Sequence, residues 1–309
     1  MNKLKKVGLT ALTTTLVASS AFAGEMSVSG SASLNYSGLN TVSATNPWSM
    51  GDSVTFSGGG DLDNGMTVGV SYELDGGNYD DYKLTLGLGD DMGTLTFSGN
   101  SVNAGGVDSV KDIVPTAYTP VYENTNSTDN GLAAATSGRS TSGMFGYANT
   151  FSGLTVSLGY NPVNSVSTAG GTESSIGLSY AMDGVKVVAG RFDNDKQSTD
   201  DTVGVSYTAG SITAAVQRTD INYDGSIGND QEATHYGISM AVNENLSVSL
   251  GRQEVEIDTA VDEEINTGIN ASYTMGSITL GGGFNDVESA SGAAGSDAEV
   301  TMLNIAFAF

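Results

Sequence analysis

From residue 26 onward, apolar and polar residues alternate along most of the chain. Met26, Val28, Ala32, Leu34 and Tyr36 interleave with Ser27, Ser29, Ser31, Ser33 and Asn35. Met66, Val68, Val70, Tyr72 and Leu74 alternate with Thr67, Gly69, Ser71 and Glu73, and Tyr82, Leu84, Leu86 and Leu88 with Lys83, Thr85, Gly87 and Gly89. The same period recurs in Leu154/Val156/Leu158/Tyr160, Ile176/Leu178/Tyr180/Met182, Val203/Val205/Tyr207, Tyr236/Ile238/Met240/Val242 and Ile269/Ala271/Tyr273. A two-residue period predicts strands with one apolar face, because successive strand side chains point to opposite sides. The last residues, Leu303-Asn304-Ile305-Ala306-Phe307-Ala308-Phe309, follow the same rule, so even the chain end is predicted to be a strand.

Two classes of connection separate these strands, and they alternate. Short Asn/Asp/Gly/Ser turns fall at 61–65, 90–93, 151–153, 182–184, 209–211, 243–245 and 275–277, in the residues hairpin turns favour. Longer polar segments fall near 38–52, 75–81, 100–142, 161–172, 193–201, 220–231, 256–265 and 285–297. Seven short turns and eight long loops join sixteen strands. Short turns on one rim and long loops on the other are the asymmetry of a transmembrane barrel, and sixteen strands leave an aqueous lumen. A water-soluble sandwich or solenoid would need a second apolar layer to cover the sheet, and no segment is left over to supply one. Tyr36, Tyr72, Tyr160, Tyr180, Tyr207 and Tyr273 cluster at strand ends, where an aromatic girdle would sit. The expectation is an all-β, 16-stranded antiparallel transmembrane β-barrel with short periplasmic turns and long extracellular loops.

The first residues change the picture by adding an address. Lys3, Lys5 and Lys6 precede an uncharged stretch that ends in Ala21-Phe22-Ala23, the layout of a secretory signal peptide. Residues 1–23 are read as cleaved and 24–309 as the barrel domain. Without the three signal lysines, eight of the 11 basic residues stand against 35 acids, a formal net charge of −27. So acidic a chain is not expected to bind nucleic acid. With no cysteine, an exported chain carries no disulfide and rests on burial and hydrogen bonding.

The stretch Glu25-Met26-Ser27-Val28-Ser29-Gly30, the turn and strand Leu62-Asp63-Asn64-Gly65-Met66-Thr67-Val68-Gly69, the single oversized third loop and the terminal Phe309 together resemble the general bacterial outer-membrane porins of the alphaproteobacterial (Rhodobacter-like) type. The resemblance spans the whole chain after the signal. It implies homotrimers, each subunit a water-filled pore, with the third loop (99–143) folded inward as the constriction. It also implies that Phe309 is the signal read by the barrel-assembly machinery.

The candidate functional residues follow from that loop and from strand parity. Loop acids Asp108, Asp112 and Glu123, with loop bases Lys111 and Arg139, are placed at the constriction, where rings of charge select ions. Lys83, Glu73 and His235 fall on the polar phase and are placed on the lumen wall. Lys83 has few basic companions, so a strongly anion-selective pore is not expected. Arg191, Arg218 and Arg252 each follow an apolar alternation that would point them outward near the long-loop rim. Two readings stand for them: a contact with lipopolysaccharide phosphates, or a rim or bulge position turned to water or the lumen. The acidic groups Asp193/Asp195/Asp200/Asp201, Asp224/Asp230/Glu232 and Asp258/Asp262/Glu263/Glu264 could hold calcium. They lack the twelve-residue calcium-loop pattern, so a solvated acidic rim is the first expectation. One histidine, no cysteine, and no phosphate, zinc or dinucleotide motif argue against an enzyme and against a cofactor. The functional expectation is a passive pore for small hydrophilic solutes in the bacterial outer membrane, in contact with lipid and lipopolysaccharide and cation-preferring. The rivals are a substrate-specific channel and a plugged barrel acting as adhesin or structural protein.

Overall fold

The computed structural model describes residues 26–40, 46–99, 105–121, 142–162, 171–225 and 228–309. The expected signal peptide, Glu123 and Arg139 lie outside them. Sixteen strands form one closed antiparallel barrel in which each strand pairs with its sequence neighbours. They are β1 (Met26–Leu39), β2 (Trp48–Asp61), β3 (Thr67–Asp75), β4 (Asn78–Gly87), β5 (Thr94–Gly99), β6 (Ser142–Phe151), β7 (Leu154–Asn161) and β8 (Glu173–Met182). The second half comprises β9 (Val185–Asn194), β10 (Ser198–Ala209), β11 (Ile212–Tyr223), β12 (Gln231–Ala241), β13 (Leu246–Ile257), β14 (Glu264–Met275), β15 (Ile278–Glu288) and β16 (Ala298–Ala308). At about 3.3 Å per residue and a tilt near 40°, strands of 10–12 residues span about 25–30 Å, which matches the apolar band of a barrel in lipid.

The seven short turns sit on one rim, as the sequence pattern predicts. Asp183 and Gly184 both have positive φ, as do Ser152 and Gly153. That backbone twist matches the strands of a two-residue hairpin. The opposite rim differs from expectation at two of its eight connections. The segment expected to loop over 75–81 is a two-residue turn through Gly76 and Gly77, and that expected over 193–201 is a three-residue turn at 195–197. Both stretches are polar on both faces. Strand pairing continues through them because the ladder needs only backbone groups, and beyond the apolar band neither face has to be greasy.

The apolar phase faces outward. Leu34, Phe56, Val70, Leu84, Val205, Ile238, Leu250, Ile269 and Leu303 are all exposed there. Tyr36 and Trp48 meet edge-on across β1 and β2 with ring centroids 5.0 Å apart, at the long-loop end of the wall. The seam closes between β1 and β16, from Ser31 opposite Ala308 to Leu39 opposite Val300. Leu303, Ile305, Phe307 and Phe309 therefore face outward, while Asn304 turns inward and donates to Asn35 Oδ1 at 2.6 Å.

Among the described residues, the segment inside the barrel runs along one side of it. The start of the third loop, Gly105 to Val121, enters the barrel as a 3-10 turn at Gly106–Val110 and continues along the inner wall of β7 to β15. Val107 and Val110 of this loop pack with Val188 and Phe192 of β9, and Ile113 joins them. A second small cluster, Val287, Ala290 and Ala298 with Leu39, sits under the loop between β15 and β16.

Candidate functional site

The loop is fixed to the wall by backbone groups. Gly106 N–H donates to Ser157 Oγ at 2.7 Å on β7. Ile113 N–H donates to Gln217 Oε1 at 3.2 Å on β11, and Gln217 Nε2 donates back to Val110 O at 2.9 Å. Ala117 N–H donates to Ser249 Oγ at 2.8 Å on β13. Each wall residue is on the polar phase, so the serine and glutamine side chains that alternation turned inward become acceptors for a segment without strand partners of its own. The described part of the loop, residues 105–121, runs along the β7–β15 wall.

On β1–β5 the inward phase is hydroxyl-rich, and Lys83 and Glu73 are among its charges. Lys83 on β4 lies opposite Ser71 and Ser98, both on the inward phase, so its ammonium belongs to the lumen. Glu73 on β3 is also inward and accepts from the Ser53 hydroxyl of β2. From the loop side come Asp108, Lys111 and Asp112. Lys111 Nζ sits 2.5 Å from Asp112 Oδ2 and 3.6 Å from Asp108 Oδ1. Lys83 is close enough to act electrostatically on Asp108, so a wall charge and a loop charge sense each other within the barrel. Burial pushes the Asp108 carboxyl above the usual aspartate range, with Asp112 adding to the shift while Lys111 and Lys83 pull the other way. Burial also works against the charge of Lys111, yet Asp112 and Asp108 outweigh it and hold the ammonium above its usual range. These five residues carry three carboxylates against two ammonium groups. Among these described residues the carboxylates outnumber the ammonium groups by one, and Lys111 is paired with both Asp112 and Asp108.

His235 faces inward but does not meet the open channel. It is 1% exposed, behind Val114, Pro115 and Val121 of the loop. Its Nε2 lies 3.3 Å from Gln253 Nε2; Gln253 Oε1 accepts from Asn266 Nδ2 at 2.8 Å, which also donates to Glu264 Oε1 at 2.8 Å. Glu264 Oε2 in turn accepts from the Ser291 N–H at 2.6 Å. A second buried carboxylate, Glu173 on β8, accepts from Asn161 and Asn194 at 3.2 Å each. Strand parity marks all of these side chains as inward. Nothing in the sequence distinguishes those the loops cover from those left in water, which is why His235, expected on the lumen wall, lies beneath the loop instead.

Arg191, Arg218 and Arg252 point outward in the long-loop half of β9, β11 and β13, and their strands run without a bulge. Arg218 stands opposite Val203, and Arg252 opposite Tyr236, both on the apolar phase. Each has a carboxylate partner: Asp201 at 3.7 Å for Arg191, Glu254 at 2.6 Å for Arg252, and both Asp220 at 3.1 Å and Glu232 for Arg218. A bare Arg at the bilayer midplane costs about 2–4 kcal/mol, falling towards zero near the interface. Pairing and height together make these positions tolerable. Among the described residues, no three His, Asp or Glu side chains are arranged to hold a metal ion.

Phe309 closes the seam. Its N–H donates to Gly30 O at 2.9 Å and its carbonyl accepts from Gly30 N–H at 2.8 Å. Its ring lies over the Gly30 backbone, where a Cβ would come 2.5 Å from Phe309 Cε2.

Against known proteins, residues 8–309 match the family described as Gram-negative porin. No curated protein sequence matches the chain. Among solved structures, the barrel is similar to a loop-deletion mutant of OmpT, an outer membrane protein of Vibrio cholerae, at 14% identity and TM-score 0.71, over 93% of this chain and 99% of that one. It is similar to a triple mutant of the Rhodopseudomonas blastica porin at 15% identity and TM-score 0.66, over 92% and 100%. It is also similar to Salmonella typhi OmpF in complex with daunomycin at 14% identity and TM-score 0.65, over 93% and 98%.

Proposed function

This chain belongs to the Gram-negative porin family, an outer-membrane channel family, and on that footing we propose that its barrel is a cation-preferring pore for passive diffusion of small hydrophilic solutes. The observation that carries the reading is the course of the described part of the third loop inside the barrel. Residues 105–121 lie along the β7–β15 wall, and Lys83 of β4 acts electrostatically on Asp108 from across the lumen; we take these charges, with Glu73, Lys111 and Asp112, as the constriction. Three carboxylates against two ammonium groups there, within a chain of formal net charge −27 once residues 1–23 are removed, favour potassium over chloride.

The finer parts of the proposal are these. The chain is exported and loses residues 1–23, and it assembles as a homotrimer. Its exposed apolar face on β1–β4, with Met50, Phe56, Val70, Tyr72 and Leu84, is the surface offered to the other subunits. The long-loop rim faces outward from the cell, and Arg191, Arg218 and Arg252 meet the phosphate zone of lipopolysaccharide. Phe309 is read by the barrel-assembly machinery. No residue performs chemistry, and no cofactor takes part.

The test is a planar-bilayer recording of the refolded protein under a KCl gradient. Conductance that rises in groups of three, with a reversal potential on the potassium side, is expected. A reversal potential on the chloride side would overturn the cation preference, and steps that never group would overturn the trimer.

A further inference from the structure

Where the third loop crosses the wall, strand after strand presents a glycine. Gly177 of β8 stands directly opposite Gly190 of β9, and Gly237 of β12 opposite Gly251 of β13, which in turn faces Gly268 of β14. Gly204 of β10 and Gly281 of β15 continue the row. A Cβ at Gly190 would lie 2.6 Å from Val107 Cγ2 and 2.9 Å from Val110 Cγ2. At Gly204 it would lie 2.7 Å from Ile113 Cδ1, and at Gly251 2.8 Å from Val121 Cγ1. At Gly177, Gly237 and Gly281 it would run into Gly106 O, Val114 Cγ1 and the Tyr118 ring. None of these glycines has a positive φ, so the backbone does not require them. Glycine weakens a strand interior, so its recurrence on seven strands calls for another cause, and close approach of a second backbone is one that glycine uniquely permits.

The loop is complementary to this row. Its residues over the glycines are apolar knobs: Val107, Val110, Ile113, Val114, Tyr118 and Val121. They sit on a wall whose other side chains are mostly hydroxyl and amide, with Val188 and Phe192 of β9 as an apolar patch. The hydrogen bonds to Ser157, Gln217 and Ser249 hold the loop at three points along its length, but they do not set its standoff, because side-chain acceptors can follow a loop displaced towards the lumen. The knobs in the glycine holes do set it. Glycines on the uncovered wall are different: a Cβ at Gly69 would meet only Thr85 of the same sheet.

We infer that Gly177, Gly190, Gly204, Gly237, Gly251 and Gly281 form a seating track that positions the constriction loop, so that these uncharged residues on the far wall set the width of the channel. The inference deepens the channel reading and rests on it. Close-packed contacts do not absorb an added side chain without a shift. A side chain added to the track therefore moves the loop into the channel or lifts it off the wall.

The test is single-channel conductance of Gly190→Val combined with Gly237→Val, with Gly69→Val as control and heat-modifiable gel migration to confirm a folded barrel. A change of roughly twofold or more in the double variant, downward if the loop moves into the channel and upward if it comes away, is expected, with a smaller effect in the control. Wild-type conductance in the folded double variant would overturn the inference. If the double variant does not fold, Val107→Ala with Val110→Ala removes the knobs from the loop side and leaves every strand intact. That variant is expected to conduct more and with greater noise, and a wild-type trace from it would overturn the inference. A silent wild type would reject the channel reading itself, and this inference with it.

Discussion

Single residues decide two properties of this barrel, its closure and its response to pH. Gly30 is the seat of Phe309, and a β-branched side chain there would occupy the space of the terminal ring. Gly30→Val is expected to slow closure of the seam. The measurement is the fraction of heat-modifiable, folded protein after refolding, with Gly58→Val on the same outward phase for comparison. Equal yields would show that the ring needs no seat. Asp108 carries the pH dependence. Burial raises its pKa, so on acidification it takes up its proton at a higher pH than the ~3.9 of a free aspartate. Protonation removes one of the three negative charges at the constriction. The potassium-to-chloride permeability ratio is therefore expected to fall as pH drops, with its midpoint above that reference value. Asp108→Asn should give the lowered ratio already at neutral pH and abolish that step. The inward placement of Lys83 and Glu73 was legible from parity alone, because a strand side chain has only two directions. The shielding of His235 was not, because it depends on a loop 114 to 121 residues along the chain that has no period of its own.

At the scale of elements, strand existence was legible almost everywhere, and strand ends were not. The stretches at 75–81 and 193–201 look like loops because both faces are polar, yet they pair as strands once they rise above the apolar band. The arginines show the converse. Alternation points them outward, but the partners that make this tolerable, Asp201, Asp220, Glu232 and Glu254, come from i+2 positions and neighbouring strands that only the register brings together. That pairing also shapes their proposed contact with lipopolysaccharide, since carboxylates and phosphates compete for the same guanidinium forks. Replacing Asp220 with Asn and Glu232 with Gln frees Arg218, and lipopolysaccharide retained through purification is expected to rise. Arg218→Ala is expected to lower it. No change in either variant would remove Arg218 from that contact. The third loop stands out in the sequence by its length, but the glycines beneath it do not. In the sequence those glycines resemble ordinary strand packing, and only the fold shows that they line up across seven strands under one segment.

For the whole molecule, the decisive feature is where the described part of the third loop lies in a polar interior. A plugged barrel would carry loop or helix across the full lumen, whereas residues 105–121 follow the β7–β15 wall, across the barrel from the serine-bearing inward faces of β1–β3. An acidic chain then adds a field that the constriction focuses, though charges on outer loops are screened beyond about one Debye length and contribute less than those facing the channel. The central claim is therefore an open hydrophilic path. The most direct test is swelling of liposomes that contain the refolded barrel, in isotonic neutral sugars of graded size. Rapid swelling with a monosaccharide, declining steeply through di- and trisaccharides, is the result this account predicts. No swelling with the smallest sugar, from liposomes whose barrels migrate as folded, would contradict it.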